Sequence, residues 1–422
     1  MTDYKEVQLG PKTVQIPQEW EVQKLQEVTS RLTNGTSESQ NTEGKGLSVT
    51  RIETISHGSI DYSKVGFVDS DKDLSEYKMQ PNDILYSHIN SLKHIGKTAQ
   101  YEGLKELHHG MNLILLRPEN IQPDLLLQYL KSEYARKIAR SWCKQAVGQA
   151  SINQTELGAV PIIYPPKNEQ QRIAEILTTI DDLIEKTERV IQQTQRVKKG
   201  LMQDLLTKGI GHTEFKEVQL GPKTVQIPKE WEVRKLDAVT HNRGTYGANE
   251  SAQKDLSEGF KYVRITDINA QGKINEPDTK IPNEGNEKYE LKNGDILYAR
   301  SGSPGLCYHH TKGPGYAYAG YLIKYTPKTD DVVPEYIHHY SHSKLFKDWA
   351  NSQSRGTTLS NLNATELRNS PLIYPPLQEQ ERIAEILTTI DEKIQREKEE
   401  RDKLQHLKKG LMQDLLTGKT RV

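Results

Sequence analysis

RIAEILTTID, residues 172–181, returns letter for letter as residues 382–391. Working outward, KEVQLGPKTVQIPQEWEVQKL (5–25) returns as KEVQLGPKTVQIPKEWEVRKL (216–236). NQTELGAVPIIYPPKNEQQRIAEILTTID (153–181) returns as NATELRNSPLIYPPLQEQERIAEILTTID (363–391), and KKGLMQDLLT (198–207) returns at 408–417. Between these blocks, residues 26–152 and 237–362 share only scattered positions. The period is far too long for a solenoid unit and matches a whole domain plus a connector. The chain is therefore a repeated frame around two domains that differ.

The stretch after IYPP (163–166) switches to helical spacing. Ile173, Ile176, Ile180, Leu183, Thr187, Val190, Thr194, Val197 and Leu201 alternate at three and four residues, the a/d pattern of a coiled coil. Pro165 and Pro166 end the preceding strand and permit a helix start beyond them. A helix over 168–207 spans roughly 60 Å and cannot bury its seam alone. Its copy over 378–417 is the expected partner, with a more polar centre at QREKEERDK (395–403). Two equal domains, each followed by one long helix, pack most simply with the helices antiparallel and a pseudo-twofold relation between the halves. GLMQDLLTKGIGHTEFKEVQLGP (200–222) is recreated if GLMQDLLTGKTRV (410–422) meets MTDYKEVQLGP (1–11), so the sequence reads as a cut circle. Gly200 and Gly410 inside the helices are expected to allow close packing or a bend.

Both variable domains follow one plan. LSVTRIETI (47–55) matches KYVRITDIN (261–269) as an early strand, and QPNDILYSHINS (80–91) matches KNGDILYARSGS (292–303) as turn, strand and polar loop. LLLQYLKSEYARKIARSW (125–142) matches EYIHHYSHSKLFKDWA (335–350) as an amphipathic helix. It leads to a polar loop, GQASINQTEL (148–157) or GTTLSNLNATEL (356–367). The expected fold class is α+β: two globular domains joined by two long antiparallel helices as a coiled coil, with a pseudo-twofold internal repeat. The expected boundaries are 1–17 for an N-terminal frame segment, 18–160 for the first domain and 161–210 for the central helix. They continue with 211–228 for the linker and frame repeat, 229–370 for the second domain and 371–422 for the C-terminal helix.

Bulk properties narrow the function. The 57 basic and 57 acidic residues cancel, which argues against a simple basic nucleic-acid binder but leaves room for a DNA site shared within a complex. Two cysteines, Cys143 and Cys307, build neither a disulfide framework nor a zinc cluster. No signal peptide is read, and no apolar run approaches the ~18 residues of a membrane span. The expectation is a soluble, cytoplasmic protein. Twenty tyrosines against four phenylalanines suit polar recognition surfaces or solvent-tolerant strands equally.

The order frame, domain, helix, repeated twice, resembles the specificity subunit of type I restriction-modification systems. GDILYARSGS, the polar loop before TEL, and IYPP…EQ.RIAEIL…K.GLMQDLLT carry the resemblance, which covers essentially the whole chain. It implies two target recognition domains, each reading one half of a split double-stranded DNA site, and helices that set the spacer. It implies two modification (methyltransferase) subunits as partners and two restriction (motor-nuclease) subunits. S-adenosylmethionine, ATP and Mg are then expected on those partners, with no cofactor and no catalysis in this chain.

Base reading needs side chains that reach base edges, Arg or Lys to guanine and Asn or Gln to adenine, and polar loops on a rigid sheet offer them. The DNA-binding candidates in the first domain are His88, Asn90, Ser91, Lys93, Gln149, Ser151 and Asn153. In the second they are Arg300, Ser301, Ser303, Arg355, Thr357, Thr358 and Asn361. Arg51 and Arg264, at corresponding strand positions, are candidates for phosphate. His108-His109 and His309-His310 are read as loop residues that could touch phosphate or base, or equally be solvated histidines.

Other chemistry is poorly supported. HIGKT (94–98) lacks the first glycine of a phosphate loop, since Ser91 stands there. His338, His339 and His342 have helical spacing but no placed carboxylate or cysteine partner, so they read as a helix surface. No glycine-rich S-adenosylmethionine fingerprint, NPPY-type motif or nuclease carboxylate cluster is found. A coiled-coil scaffold binding only proteins predicts no sequence-specific DNA footprint, and the divergent domains weigh against it. An enzyme with an unseen site predicts activity from the chain alone, and the missing motifs weigh against that.

Overall fold

A computed structural model describes residues 3–10, 12–55, 58–92, 94–146, 149–301, 305–353 and 361–422. They form two compact units, Met1–Glu188 with Glu399–Val422, and Arg189–Lys398.

Each unit is built from the same parts. A frame hairpin opens it: Tyr4–Leu9 against Lys12–Pro17 in the first, Phe215–Leu220 against Lys223–Pro228 in the second. Gly10 and Gly221 sit at the two turns with φ +59°, the left-handed conformation that glycine adopts freely. The next strand, Glu21–Lys24 or Glu232–Lys235, pairs with the strand holding PIIY or PLIY, Pro161–Tyr164 or Pro371–Tyr374. An antiparallel sheet carries each domain. Its strand order is Thr29–Asn34, Ile114–Pro118, Ile84–Tyr86, Thr98–Gln100 in the first unit. In the second it is Thr245–Tyr246, Leu322–Tyr325, Ile296–Ala299, Cys307–His309.

The helices are α1 (Pro123–Lys131), α2 (Glu133–Trp142), α3 (Gln154–Gly158), α4 (Lys167–Leu205), α5 (Pro334–Ser341), α6 (Lys344–Gln353), α7 (Ala364–Arg368) and α8 (Leu377–Leu415). The single amphipathic helix expected in each domain is two helices. Ser132 breaks the first by capping α2, its hydroxyl accepting from the Ala135 N–H at 3.1 Å, and Ser343 does the same for Phe346 at 3.2 Å. The early strands are also shorter than expected, Leu47–Val49 and Phe260–Val263. Arg51 and Arg264 lie just past them, where the Arg51 N–H donates to Thr54 Oγ1 and the Arg264 N–H to Asp267 Oδ2, starting a 3-10 turn.

The long helices form as expected, and the predicted seam is buried where it begins, at Ile173 and Ile383, but farther along the buried stripe moves one residue away from it. Leu183 and Val197 are 42% and 56% exposed, and Ile386 and Leu407 are exposed too. Ile191 and Ile394 are buried instead. Leu183-Ile184 and Val190-Ile191 are apolar pairs, so spacing alone does not choose between their faces. Gly200 and Gly410 approach nothing: a Cβ at either would meet no heavy atom within 4 Å.

Each core joins a domain to the start of one helix and the end of the other. In the first unit Trp20, Leu116, Leu126 and Ile138 pack with Ile173, Leu177, Leu415 and Leu416. In the second, Trp231, Ile323, Ile337 and Phe346 pack with Ile383, Leu387, Leu205 and Leu206. Burying each such side chain contributes about 1.5–3 kcal/mol. Tyrosine serves this second core, where each hydroxyl finds a partner: Tyr298 meets Ser341 Oγ at 2.7 Å, and Tyr336 donates to Ile373 O at 2.9 Å.

The repeated words of the frame make repeated bonds. Gln170 and Gln380, both buried, accept from Gln122 N–H (2.9 Å) and Val333 N–H (3.0 Å) and donate to Pro165 O and Pro375 O. Trp20 Nε1 donates to Glu169 at 3.3 Å, and Trp231 Nε1 donates to Glu379 at 2.9 Å. Lys408 Nζ reaches Asp181 at 2.6 Å, and Lys198 Nζ reaches Asp391 at 2.6 Å. Onto the first carboxylate Gln128 of α1 donates at 2.7 Å. At the matching place on α5, His339 lies 3.0 Å from Thr388 Oγ1 and 3.9 Å from Asp391. His339 is buried rather than on a helix surface. Among the described residues no group of three His, Cys, Asp or Glu could hold a metal ion, and no helix is long and apolar enough to cross a membrane.

Candidate nucleic-acid interface

In the first unit, two polar loops far apart in sequence are stitched together. The strand Ile89–Asn90 pairs with Gln149–Ser151, matching Asn90 with Ala150 and Ile89 with Ser151. His88 O accepts from the Ile152 N–H at 2.9 Å. His88, Ser91 and Ser151 are half-buried beside this small sheet. Burial pushes the His88 imidazole down to about 4, so near neutral pH it offers hydrogen bonds rather than charge. Asn153 is exposed, but its Oδ1 accepts from the Glu156 N–H at 2.8 Å while Glu156 returns the bond at 3.0 Å, a capping box that starts α3.

Asn34, which sequence reasoning missed, ties these loops to the main sheet. Its amide lies 3.2 Å from His88 Nε2, and its Oδ1 accepts from Gln154 Nε2 at 2.6 Å. Arg51 pairs with Glu53 at 3.5 Å and lines a cleft of about 360 Å³ with Gln40, Met111 and Asn112.

In the second unit, Arg300 O accepts from the Leu362 N–H at 2.8 Å, joining the loop after Ala299 to the segment before α7. The Arg300 guanidinium lies 5.5 Å over the ring of Tyr246. Tyr246 and Tyr321 are 42% and 64% exposed, and the Arg300 N–H donates to Tyr321 O at 3.0 Å. Ser301 is half-buried and Asn361 exposed. Arg264 is drawn inward: Asp267 takes its Nη2 at 3.1 Å and Asp278 takes it at 3.3 Å, so its charge is matched within the unit. The aspartates hold the guanidinium pKa above its ordinary value, Asp267 foremost.

Lys93, Ser303, Arg355, Thr357 and Thr358 lie outside the described residues, and Asn90 and Gln149 are placed by backbone only. Of the doubled histidines, His108, His109 and His310 turn inward, and the half-buried His309 ends the strand Cys307–His309. His109 and His310 are fully buried, with Nε2 at 3.0 Å from Leu113 O and 2.7 Å from Gly313 O, and they brace turns. A broader groove of about 1060 Å³ in the second unit is lined by Lys198, Lys199, Lys223, Lys347, His338 and His342.

The sequence matches the profile of the type I restriction modification DNA specificity domain twice, over residues 17–196 and 228–406. The chain belongs to this family. It is 34% identical to a putative type I restriction enzyme MjaX specificity subunit of Methanocaldococcus jannaschii, over all of this chain and 97% of that relative. It is 26% identical to the type I restriction enzyme MjaVIII specificity subunit of the same organism, over 71% of this chain and 72% of the relative. In fold it is similar to the type I restriction-modification S subunit from M. genitalium, with a TM-score of 0.61 at 15% identity, covering 97% and 98% of the two chains. A chain from a type I R-M system studied for complex assembly and conformational transition gives 0.52 at 14% identity, covering 96% and 99%. Two matched domains in an α+β chain with long helices fit recognition of a DNA target in two parts.

Proposed function

We propose that this chain is the DNA-recognition subunit of a type I restriction-modification complex, with each domain reading one half of a bipartite site. The observation that carries this reading is the contrast between frame and loops. The frame makes the same bonds twice, Gln170 with Gln380, Asp181–Lys408 with Lys198–Asp391, while the loops at matched positions present His88 in one domain and Arg300 in the other. A device that must offer two identical docking surfaces and two different reading surfaces is built this way.

The two long helices form an antiparallel coiled coil with a pseudo-twofold relation, and they act as the ruler of the spacer. Within the first unit, Asp181 meets Lys408 and Glu188 meets Arg401, which favours opposite helix directions. The frame docks two modification subunits and, in the restriction complex, two motor-nuclease subunits. This chain has no catalysis of its own. S-adenosylmethionine, ATP and Mg act on the partners, and large partners supply the phosphate clamp that a neutral chain lacks. The loops carrying His88, Ser91, Ser151, Arg300, Ser301 and Asn361 meet the bases.

The test is to co-express the chain with its modification subunit and map methylated adenines across the host genome. A two-part motif with a fixed gap is the expected result. Scattered or absent methylation from a stable complex would defeat the reading.

A further inference from the structure

Two side chains outside the repeated words hold the same place in the two sheets. Asn34 pairs with Ile114, which pairs with Tyr86. Tyr246 pairs with Ile323, which pairs with Tyr298. Two residues beyond those buried tyrosines stand His88 and Arg300. Their carbonyls accept from matched residues, Ile152 and Leu362, and two residues further lie Gln154 and Ala364. Positions 34, 88 and 154 of the first unit thus correspond to 246, 300 and 364 of the second.

The chemistry at these matched nests differs. In the first, Asn34 is spent on the protein: its Nδ2 donates to Met111 O at 2.8 Å, and its Oδ1 holds Gln154 Nε2 at 2.6 Å. That leaves the exposed Gln154 with its Oε1 and a second N–H, the acceptor and donor that match adenine N6 and N7. In the second, Tyr246 is fixed by accepting from the Ala364 N–H at 3.1 Å, and the Arg300 fork rests over its ring. A planar fork pre-set on an aromatic face suits the paired acceptors of guanine, O6 and N7.

The matched position shares one further trait, found also at other buried rings of the chain such as His109 and His338: His88 Nδ1 and Arg300 Nε are both buried with no hydrogen-bond partner among the described residues.

We propose that these nests are the base-reading centres of the two domains: Gln154, positioned by Asn34, reads an adenine of one half-site, and Arg300, positioned by Tyr246, reads a guanine of the other. This inference rests on the function proposed above and adds to it the residues and the bases.

The experiment maps adenine methylation for the wild-type chain and for Q154A, N34A, R300A and Y246A, each co-expressed with the modification subunit. The expected result is relaxation at a single adenine in one half-site for Q154A and N34A. R300A and Y246A should relax a single guanine in the other half-site, each leaving the opposite half-site intact as an internal control. A merely structural role would lower total methylation without changing the motif, and that outcome overturns the inference. If R300A abolishes methylation, R300K keeps the charge without the fork. Relaxation at one guanine then supports the inference, whereas an unchanged motif or complete loss overturns it. A wild-type chain giving no two-part motif fails the function reading, while a wild-type motif that the variants leave intact fails this inference alone.

Discussion

Arg421 grips Glu169 with two nitrogens, its Nε lying 2.6 Å from Oε2 while Nη2 meets Oε1. Glu169 is only 3% exposed and also takes the Trp20 indole. In the second unit the matching Glu379 is held differently, by the Ile210 N–H at 2.8 Å and by His212 at 2.9 Å. Removing the Arg421 fork leaves a buried carboxylate with one neutral donor. R421A is expected to cost about 2 kcal/mol, the scale of a charged hydrogen-bonded pair. Scanning calorimetry should show the first unit unfolding earlier while the second keeps its transition.

A second carboxylate anchors the turn of the first domain. Asp83 is 1% exposed and takes Arg117 Nε and Nη2 at 2.8 and 2.9 Å. R117A strands that charge, and breaking a buried pair from one side costs about 3 kcal/mol or more. Urea titration should show the loss. R117A combined with D83N should recover part of it, because the stranded charge is gone.

Acid should loosen the second unit at its α5 seat. Burial pushes His339 down to about 3 and His342 to about 4, and holds His338 well below its ordinary value; the neighbouring rings and Lys198 add to the effect, and Asp391 opposes it at His339 and His342. An unfolded chain protonates these rings near pH 6.5 while the folded chain resists. Stability is therefore complete above about 6.5 and falls as pH drops from there toward 4, by about 2 kcal/mol per fully resisting histidine at pH 5. H339Q installs the side chain that α1 uses at the matching Gln128. Its thermal midpoint should fall less between pH 7.5 and 5 than the wild-type midpoint does, and an equal fall would refute the assignment.

The ruler can be lengthened. Four residues added to each of α4 and α8 extend them by about 6 Å, close to two base pairs at about 3.4 Å each. The methylated motif should keep both half-sites and gain about two bases of gap. A longer protein that still demands the original gap shows that the helices do not set it.

Repetition was the legible part of the fold. Matching words located both long helices and the IYPP strand before each, since identical stretches must do identical work, while the hairpins within the repeated frame were not read as such. The purpose of single letters was not legible. Gln170 and Glu169 are polar letters at the start of a long helix, with nothing local to set them apart, yet both are buried and bonded to segments far away in the chain. The helix stripe was misread where two apolar residues adjoin, because one turn of spacing fits either face. At the candidate interface, the polar loops after Tyr86 and Tyr298 were visible as loops. That the strand at Ile89–Asn90 pairs with Gln149–Ser151 depends on long-range pairing that no local pattern carries. Asn34 and Tyr246 were missed for the same reason: each lies on the first strand of its sheet and meets the loops only after folding.

The two glutamate seats imply something about continuity of the chain. In one, His212 and Trp231 close on Glu379 from a single stretch of backbone that also supplies Ile210. In the other, Trp20 and Arg421 close on Glu169 from widely separated segments. Both seats hold, and both place a glycine with positive φ against the tryptophan, Gly209 and Gly418. An unbroken peptide across the seat is thus dispensable to its geometry. Two fragments made separately, 1–211 and 212–422, should complement one another into a working protein, with side chains supplying the join that the missing bond no longer provides.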